Sequence, residues 1–229
     1  MSKPSYQNFL SVLEHKEAAR PTLFEPFIDP FLAEQLIWRR GPQLWDTPEH
    51  YVKTMISLRE RTQADVVILD ARGYSIPSLV RLLSTVEHDL PQTSRAVILC
   101  EDMRCVKEAV RSDAVCAIGI YGQTYPTDDL PFIRMDRTAE EAVIEGSLGW
   151  YAPASAETYY NAYCGRLTIC GGLGADAVAS AEPISIHQRI QSLVNQTQNL
   201  GYMIGSGGTV PASSYLSLIS MLGIYIRNH

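Results

Sequence analysis

The 229-residue chain is 46% hydrophobic and 19% charged, which is typical of a globular domain with a sizeable core, and we place a single domain over residues 1–229. Its net charge of −6 and the lack of a basic run argue against nucleic-acid binding, and no apolar stretch approaches the ~20 residues of a membrane span. The first residues lack the apolar core of a signal peptide and the five cysteines are an odd number, so we expect a cytoplasmic protein with reduced thiols.

Apolar runs of strand length recur along the chain, with helical patterns between them. Most of these runs are continuous instead of alternating, which is typical of strands buried on both faces of a parallel sheet. They cover residues 23–28, 65–70, 96–101, 114–121, 132–135, 167–171 and 202–206. The alternation of strand and helix predicts an α/β fold. Seven strands fit either a (β/α)8 TIM-type barrel with one strand undetected or an open doubly wound sheet.

The helical segments carry recognisable start and stop signals. Thr47-Pro48-Glu49 combines a capping hydroxyl, proline at the first helical position and an acid in the first turn. Thr138-Ala139-Glu140-Glu141 predicts a capping box. Pro183 opens a helix that we expect to end with a glycine cap near Gly201. Residues 213–227 predict an apolar closing helix, which either packs on its own barrel or forms a homodimer interface.

Two neighbouring strands late in the chain end in glycines. The first segment is Leu167-Thr168-Ile169-Cys170-Gly171-Gly172-Leu173-Gly174, and the second is Tyr202-Met203-Ile204-Gly205-Ser206-Gly207-Gly208-Thr209-Val210-Pro211. Glycine allows a sharp backbone turn and a close approach by a ligand. Each segment leads into a helical pattern, and helix N-termini attract anions. The pair therefore predicts one mouth where a polar or anionic ligand binds.

Both candidate architectures bind ligands beyond the carboxyl ends of their strands, so the strand-end residues are the candidate site. An acid or an acid with an arginine ends most of the predicted strands. Such carboxylates can bind cations, orient N–H groups or act as general acid and base. Asp102 and Asp136 also occupy ordinary helix-capping positions. The strand-end residues are Glu25, Asp29, Asp70, Arg72, Glu101, Asp102, Tyr121, Gln123, Arg134, Asp136, Cys170 and Ser206.

Glu25 is the most anomalous of these residues because it lies within an apolar run. A buried carboxylate is costly unless it meets a partner, a ligand or a metal, and Arg20 or Arg72 could be its partner. Asp70 and Arg72 follow an apolar strand and form either a structural ion pair or part of the site. We take Glu25 and Asp70 as candidate catalytic residues. The candidate substrate-binding residues are Arg72, Tyr121, Gly171, Gly172, Ser206, Gly207 and Gly208.

The cysteines give little support for a metal site. Cys164 and Cys170 are six positions apart and Cys100 and Cys105 are five apart, so neither pair has the spacing of a zinc knuckle. Cys170, at the end of a strand, is retained as a weak metal-ligand candidate. We therefore do not expect zinc.

Several of these segments resemble the uroporphyrinogen decarboxylase superfamily. The resemblance rests on Arg20-Pro21 followed by Glu25, on Ala64-Asp65-Val66-Val67, on residues 167–172 and on residues 205–211. The superfamily includes the decarboxylase of haem synthesis and the zinc-dependent methyltransferases of corrinoid and coenzyme M metabolism. It implies a (β/α)8 barrel, trimmed here because the chain is shorter than typical members.

The functional residues of that superfamily are only partly present. No arginine follows the first strand before Arg39, although the decarboxylase holds substrate carboxylates there with arginines. Asp70 is the nearest equivalent of the decarboxylase's catalytic aspartate. Gly208 stands where the decarboxylase has a histidine. The three zinc-ligand positions of the methyltransferases read Thr168, Cys170 and Gly208.

The resemblance implies methyl transfer that involves a corrinoid or a tetrapyrrole-linked substrate at the strand carboxyl ends. Decarboxylation of uroporphyrinogen is one alternative. A non-catalytic binding or partner subunit of a corrinoid methyltransferase system is another, and an unrelated small-molecule enzyme on the same scaffold is a third. A corrinoid is the candidate cofactor, and a corrinoid protein is the candidate partner.

Overall fold

The computed structural model describes residues 3–37, 45–124 and 129–208, together with 213, 214, 216–218, 221 and 223. The strands are β1 (Thr22–Leu23), β2 (Val67–Asp70), β3 (Ala96–Cys100), β4 (Val115–Ile120), β5 (Phe132–Arg134), β6 (Gly149–Ala152), β7 (Thr168–Gly171) and β8 (Tyr202–Ile204). The helices are α1 (Tyr6–Leu13), α2 (Pro30–Ile37), α3 (Pro48–Thr62), α4 (Ile76–Asp89), α5 (Met103–Val110), α6 (Ala139–Ile144), α7 (Ala156–Tyr163), α8 (Ala175–Ser180) and α9 (Pro183–Thr197). Within these ranges, every helix is too short or too polar to cross a bilayer.

The eight strands form one parallel sheet in the order β1-β8-β7-β6-β5-β4-β3-β2. This is the cyclic order of a (β/α)8 barrel with a single ladder missing, because no pairing joins β1 to β2 in the described part of the chain. A doubly wound sheet would reverse its strand order at a switch point, and no reversal occurs here. The predicted trimmed (β/α)8 barrel is therefore confirmed.

The missing ladder leaves a seam between β1 and β2. A small cavity of about 30 Å³ lies along this seam and is bordered by Leu23, Met55 and Val67. That volume holds roughly one or two water molecules. Helix α3 packs against the seam from outside through Met55, so the gap is closed by side chains instead of main-chain hydrogen bonds.

Strand residues alternate between two hydrophobic layers. In β3, Val97 and Leu99 point into the barrel, while Ala96 and Ile98 pack outward against the helices. Both layers are buried, which explains why the strands read as continuous apolar runs in the sequence. The inner layer extends to the amino end of the barrel, where α1 closes it with Phe9, Val12 and Leu13.

Three predicted helix caps are confirmed by their hydrogen bonds. Thr47 Oγ1 accepts a hydrogen bond from the His50 N–H (3.2 Å) at the start of α3. Thr138 and Glu141 cap α6 reciprocally, as a capping box requires. Asp102 Oδ1 accepts the N–H groups of two residues in the first turn of α5.

One strand was undetected, as the barrel interpretation allowed, and two other predictions about elements are wrong. Strand β6 (Gly149–Ala152) was not predicted, because a glycine and two aromatic residues interrupt the aliphatic pattern. Helix α9 ends on Gln198, whose φ of +50° is left-handed, instead of on a glycine cap. Asp136 does not cap α6, since its Oδ2 accepts the Gly122 N–H (2.6 Å) and Thr138 is the cap.

Parts of the remaining predictions fall outside the described residues. Of the closing helix predicted over residues 213–227, the described positions are helical. The others lie outside the described residues, as do Arg39, residues 125–128 and residues 209–211 of the second glycine segment.

Candidate functional site

A pocket of about 460 Å³ opens beyond the carboxyl ends of β1 and β2. This volume lies in the range of small-molecule sites, and the position is where (β/α)8 barrels bind their ligands. Its charged lining comes from Asp29, Asp70 and Arg72, which were all identified as strand-end residues. The structure therefore brings three of the predicted residues together around one cavity.

Asp70 and Arg72 form a bidentate ion pair at the edge of this pocket. Arg72 Nε donates to Asp70 Oδ1 (2.9 Å) and Nη2 donates to Oδ2 (2.6 Å). The two side chains are 33% and 31% exposed, so solvent and ligands can reach both. The bond to Asp70 raises the pKa of the Arg72 guanidinium, which is fully charged. The pair is thus both a structural contact and part of the pocket surface.

The guanidinium of Arg72 is also held by two aromatic rings. Its Cζ lies 4.2 Å from the ring centroid of Tyr121 and 5.7 Å from that of Phe27. Both distances allow a cation–π interaction. The Tyr121 hydroxyl is buried and has no hydrogen-bond partner among residues 3–37, 45–124 and 129–208. The described residues leave its hydrogen-bonding capacity unused, and Tyr121 itself is not part of the pocket lining.

The charge of Asp70 lies close to three phenol rings. Burial, and then the charge of Asp70, raises the pKa of Tyr74. Burial likewise dominates the raised pKa values of Tyr51 and Tyr121, to which Asp70 also contributes. The Tyr51 hydroxyl accepts a hydrogen bond from the Asp70 N–H (2.8 Å). All three rings are therefore neutral at physiological pH, and they surround a single carboxylate.

Glu25 is buried beside the pocket and binds Ser206, just after β8, through two hydrogen bonds, a contact called the clasp below. Its Oε2 accepts the Ser206 N–H (2.8 Å), and its Oε1 lies 2.7 Å from the Ser206 hydroxyl, which donates to it. The two arginines considered as partners are engaged elsewhere, since Arg20 binds Asp65 and Arg72 binds Asp70. Glu25 thus fixes the strand end that carries Ser206.

Tyr151 completes this clasp from β6. Its hydroxyl donates to the Ser206 carbonyl (2.8 Å), and its ring packs edge-on against Phe27 at a centroid distance of 5.5 Å. Burial, followed by the charge of Glu25, raises the pKa of Tyr151. The residue was missed because its strand was missed.

The two glycine segments pack against the protein's own backbone. A Cβ on Gly207 would lie 1.7 Å from the Pro153 carbonyl oxygen, and a Cβ on Gly172 would lie 2.5 Å from the Ala156 side chain. At Gly171, φ is +85° and a Cβ would approach the Ser206 carbonyl to 2.9 Å. At Gly208, φ is +147°, which also disfavours a side chain. Close packing explains these glycines, and their role in substrate binding stays a prediction.

Cys170 and Thr168 lie inside the barrel, away from the pocket. The Cys170 thiol is fully buried, its Sγ is 3.8 Å from Met203 Sδ, and burial raises its pKa. Thr168 is at the amino end of β7, where its hydroxyl donates to the Val12 carbonyl (3.0 Å) and ties α1 to the barrel. Within the described ranges no three His, Cys, Asp or Glu side chains form a metal-binding group. Cys170 and Thr168, as they are placed here, do not form a set of ligands that fits zinc.

Arg134 and Glu101 also lie apart from the pocket. Arg134 is buried on the outer side of β5, where Nη2 pairs with Glu145 Oε2 (2.5 Å) and Nη1 donates to the Gly122 carbonyl (3.2 Å). Glu101 Oε1 accepts the Gly73 N–H (2.7 Å), which fixes the turn after β2. These strand-end residues hold loops in place.

Sequence reasoning missed most of the aromatic wall of the pocket. Phe27, Trp45, Tyr51 and Tyr74 line it, and the Trp45 and Tyr51 rings lie 5.2 Å apart. Trp45 and Tyr51 flank the start of α3, far along the chain from the strand ends. The Thr47 cap showed where α3 begins but not that its aromatic neighbours reach the seam.

Comparisons with known proteins support the architecture. No protein-family model matches the chain, and no curated protein matches it in sequence. A solved structure described as a methyltransferase from Methanosarcina mazei matches it with a TM-score of 0.64 and 9% identity, over 98% of this chain and 99% of that one. The two proteins therefore share a fold over their full lengths.

Proposed function

We propose that this protein is a methyltransferase that binds a small methylated substrate in the pocket between β1 and β2. The observation that carries the proposal is the pocket of about 460 Å³ at the carboxyl ends of these strands. The full-length structural likeness to a methyltransferase supports methyl transfer over other reactions that the barrel hosts.

The size of the pocket indicates which reactant it can hold, the methylated substrate or the corrinoid. A volume of about 460 Å³ suits a small molecule, whereas a corrinoid is a macrocycle with many side chains and is larger than the ligands that such pockets enclose. The methylated substrate therefore occupies the pocket, and a corrinoid carried by a partner protein would lie over the mouth. When bound there, the corrinoid would supply the nucleophile that accepts the methyl group.

The residues of the site divide into those that touch the substrate and those that support the fold. Asp70 and Arg72 border the pocket and are partly exposed, so they contact the substrate directly. Glu25 is buried and binds Ser206, which is itself buried, so we assign Glu25 a structural role at the end of β8.

The decisive experiment is a methyl-transfer assay with reduced free cobalamin as the acceptor. The purified protein is incubated with a panel of methylated amines, thioethers and methoxy compounds, and the demethylated product is measured by mass spectrometry. We expect product from at least one donor class, and we expect Asp70→Asn to lower its rate at least about tenfold, equivalent to ~1.4 kcal/mol. Asp113→Asn, an exposed aspartate outside the pocket, is the matched control.

Two results would contradict methyl transfer. If no donor is demethylated while small ligands still bind the pocket, the protein is a binding or partner subunit. If uroporphyrinogen loses carboxyl groups in the presence of the protein, the decarboxylase alternative replaces the methyltransferase.

A further inference from the structure

The walls of the pocket between β1 and β2 are unusually rich in aromatic rings. Phe27, Trp45, Tyr51 and Tyr74 all line it, and the Trp45 and Tyr51 rings meet at 40° with centroids 5.2 Å apart. Ring faces carry partial negative charge and attract cations, tryptophan most strongly. The tyrosines keep this property because their phenols are uncharged.

The charged side chains of the pocket also favour a cation as the ligand. Asp29 and Asp70 lie in its described lining against a single cation, Arg72. That guanidinium already donates two hydrogen bonds to Asp70 and rests on the rings of Phe27 and Tyr121. Asp29 carries a further negative charge, although its Oδ1 accepts the Phe31 N–H (2.8 Å) at the start of α2. A ligand therefore meets one neutralised ion pair and the charge of Asp29.

The rest of the lining determines what kind of cation fits. Pro26 and Ile28 offer no side-chain acceptor, and the Met55 thioether is only a weak one. The two carboxylates are largely used already, because both Asp70 oxygens accept from Arg72 and Asp29 Oδ1 accepts two backbone N–H groups of α2. A primary ammonium would bring three N–H groups that need acceptors, and burying an unsatisfied polar group is costly. A quaternary ammonium or a sulfonium has no N–H group and presents methyl groups to the apolar wall.

We infer that this pocket binds a small methylated onium cation, a quaternary ammonium or a sulfonium, on its aromatic wall beside Asp29 and Asp70. Such cations are also suited to methyl transfer, because the methyl group leaves behind a neutral amine or thioether. The role of the cation as methyl donor rests on the proposed function, whereas its binding does not.

A matched series of three ligands tests this inference directly. Choline, 3,3-dimethyl-1-butanol and 3,3-dimethylbutyrate share a branched apolar head and differ in carrying a positive charge, no charge and a negative charge. Binding to the full-length protein is measured by isothermal titration calorimetry and by tryptophan fluorescence. We expect choline to bind at least about tenfold more tightly than the neutral alcohol, in line with a desolvated cation–π contact.

Variants of the pocket residues show which side chains cause the preference for choline. Trp45→Leu and Asp70→Asn are each expected to reduce the preference for choline over the alcohol by about threefold or more. Asp113→Asn is the control and should leave it unchanged, and circular dichroism confirms that each variant is folded. A loss of the preference in Trp45→Leu alone still supports the aromatic wall.

The outcomes that overturn the inference are distinct from those that overturn methyl transfer. Equal binding of choline and the alcohol, no binding of choline at millimolar concentration, or tighter binding of the carboxylate would each overturn it. Choline binding without turnover of any donor defeats only the proposed methyl transfer. Turnover of an uncharged methoxy compound without choline binding defeats only the cation pocket.

Discussion

Asp65 and Asp70 lie at opposite ends of one strand segment, and each pairs with an arginine. The Asp65 pair is buried in the fold, whereas the Asp70 pair borders the pocket. Each carboxylate accepts hydrogen bonds from the Nε and Nη2 atoms of an arginine, Arg20 in the first case and Arg72 in the second. Asp65 is completely buried at the amino end of the barrel, and Asp70 is 33% exposed at the carboxyl end.

The difference lies in what occupies the remaining lone pairs of each carboxylate. Asp65 also accepts hydrogen bonds from the Ser5 N–H, the Asn8 side chain and the Thr22 hydroxyl. The protein itself thus uses the acceptor capacity of Asp65. Asp70 faces the pocket, where a ligand can approach it. An aspartate–arginine pair therefore marks a site only where the surrounding protein leaves the pair accessible.

Replacing Asp65 should have the largest effect on stability. Asp65→Ala leaves the buried Arg20 guanidinium without its carboxylate, and breaking a buried ion pair costs about 3–5 kcal/mol. Urea denaturation followed by circular dichroism measures the loss, with Asp113→Ala as an exposed control. If Asp65→Ala lowers the free energy of unfolding by less than ~1 kcal/mol, the value of a surface pair, the buried pair at the amino end is no more stabilising than the exposed pair at the carboxyl end.

Replacing Glu25 should have an intermediate effect. Glu25→Ala leaves the buried Ser206 N–H without its acceptor, while the Ser206 hydroxyl can still donate to the Gly208 carbonyl (2.9 Å). Leaving a buried donor unsatisfied costs about 1–3 kcal/mol. Glu25→Gln keeps one carbonyl oxygen for the Ser206 N–H and should cost less. Thermal denaturation of the two variants side by side measures this order. The reverse order would show that the clasp does not depend on accepting these hydrogen bonds.

Replacing Asp70 should have the smallest effect on stability and a clear effect on ligands. Asp70→Asn changes a partly exposed pair, so we expect the free energy of unfolding to change by less than ~1 kcal/mol. Ligand binding in the pocket should nevertheless weaken. A loss of several kcal/mol in urea denaturation would place Asp70 with Asp65 among the structural carboxylates.

The sequence predicted the barrel well because the strands are buried on both faces and read as continuous apolar runs. It predicted Asp70 and Arg72 in the pocket because parallel strands bring their carboxyl ends to one edge. The face of each side chain was harder to predict, since a continuous run does not reveal which residues point inward. Cys170, near the carboxyl end of β7, was for that reason placed at the mouth, although its side chain is part of the inner core.

The aromatic wall could not be predicted from strand ends. Trp45 and Tyr51 reach the pocket only because α3 packs over the seam between β1 and β2. That contact depends on tertiary packing between distant segments. Asp65 was likewise read as part of a strand, and its network with Arg20 becomes visible only when α1 closes the barrel.

The seam between β1 and β2 has a consequence for how this protein can diversify. Elsewhere in the barrel, shifting a strand to reshape a wall would break main-chain hydrogen bonds. Beside the pocket, Trp45, Tyr51 and Met55 belong to α3 and the segment before it, which form no hydrogen bonds of the sheet. Substitutions at these positions change the pocket without breaking main-chain hydrogen bonds of the sheet, although Met55 is a core residue and Tyr51 binds the Asp70 N–H. We therefore expect relatives that accept different ligands to differ first at Trp45.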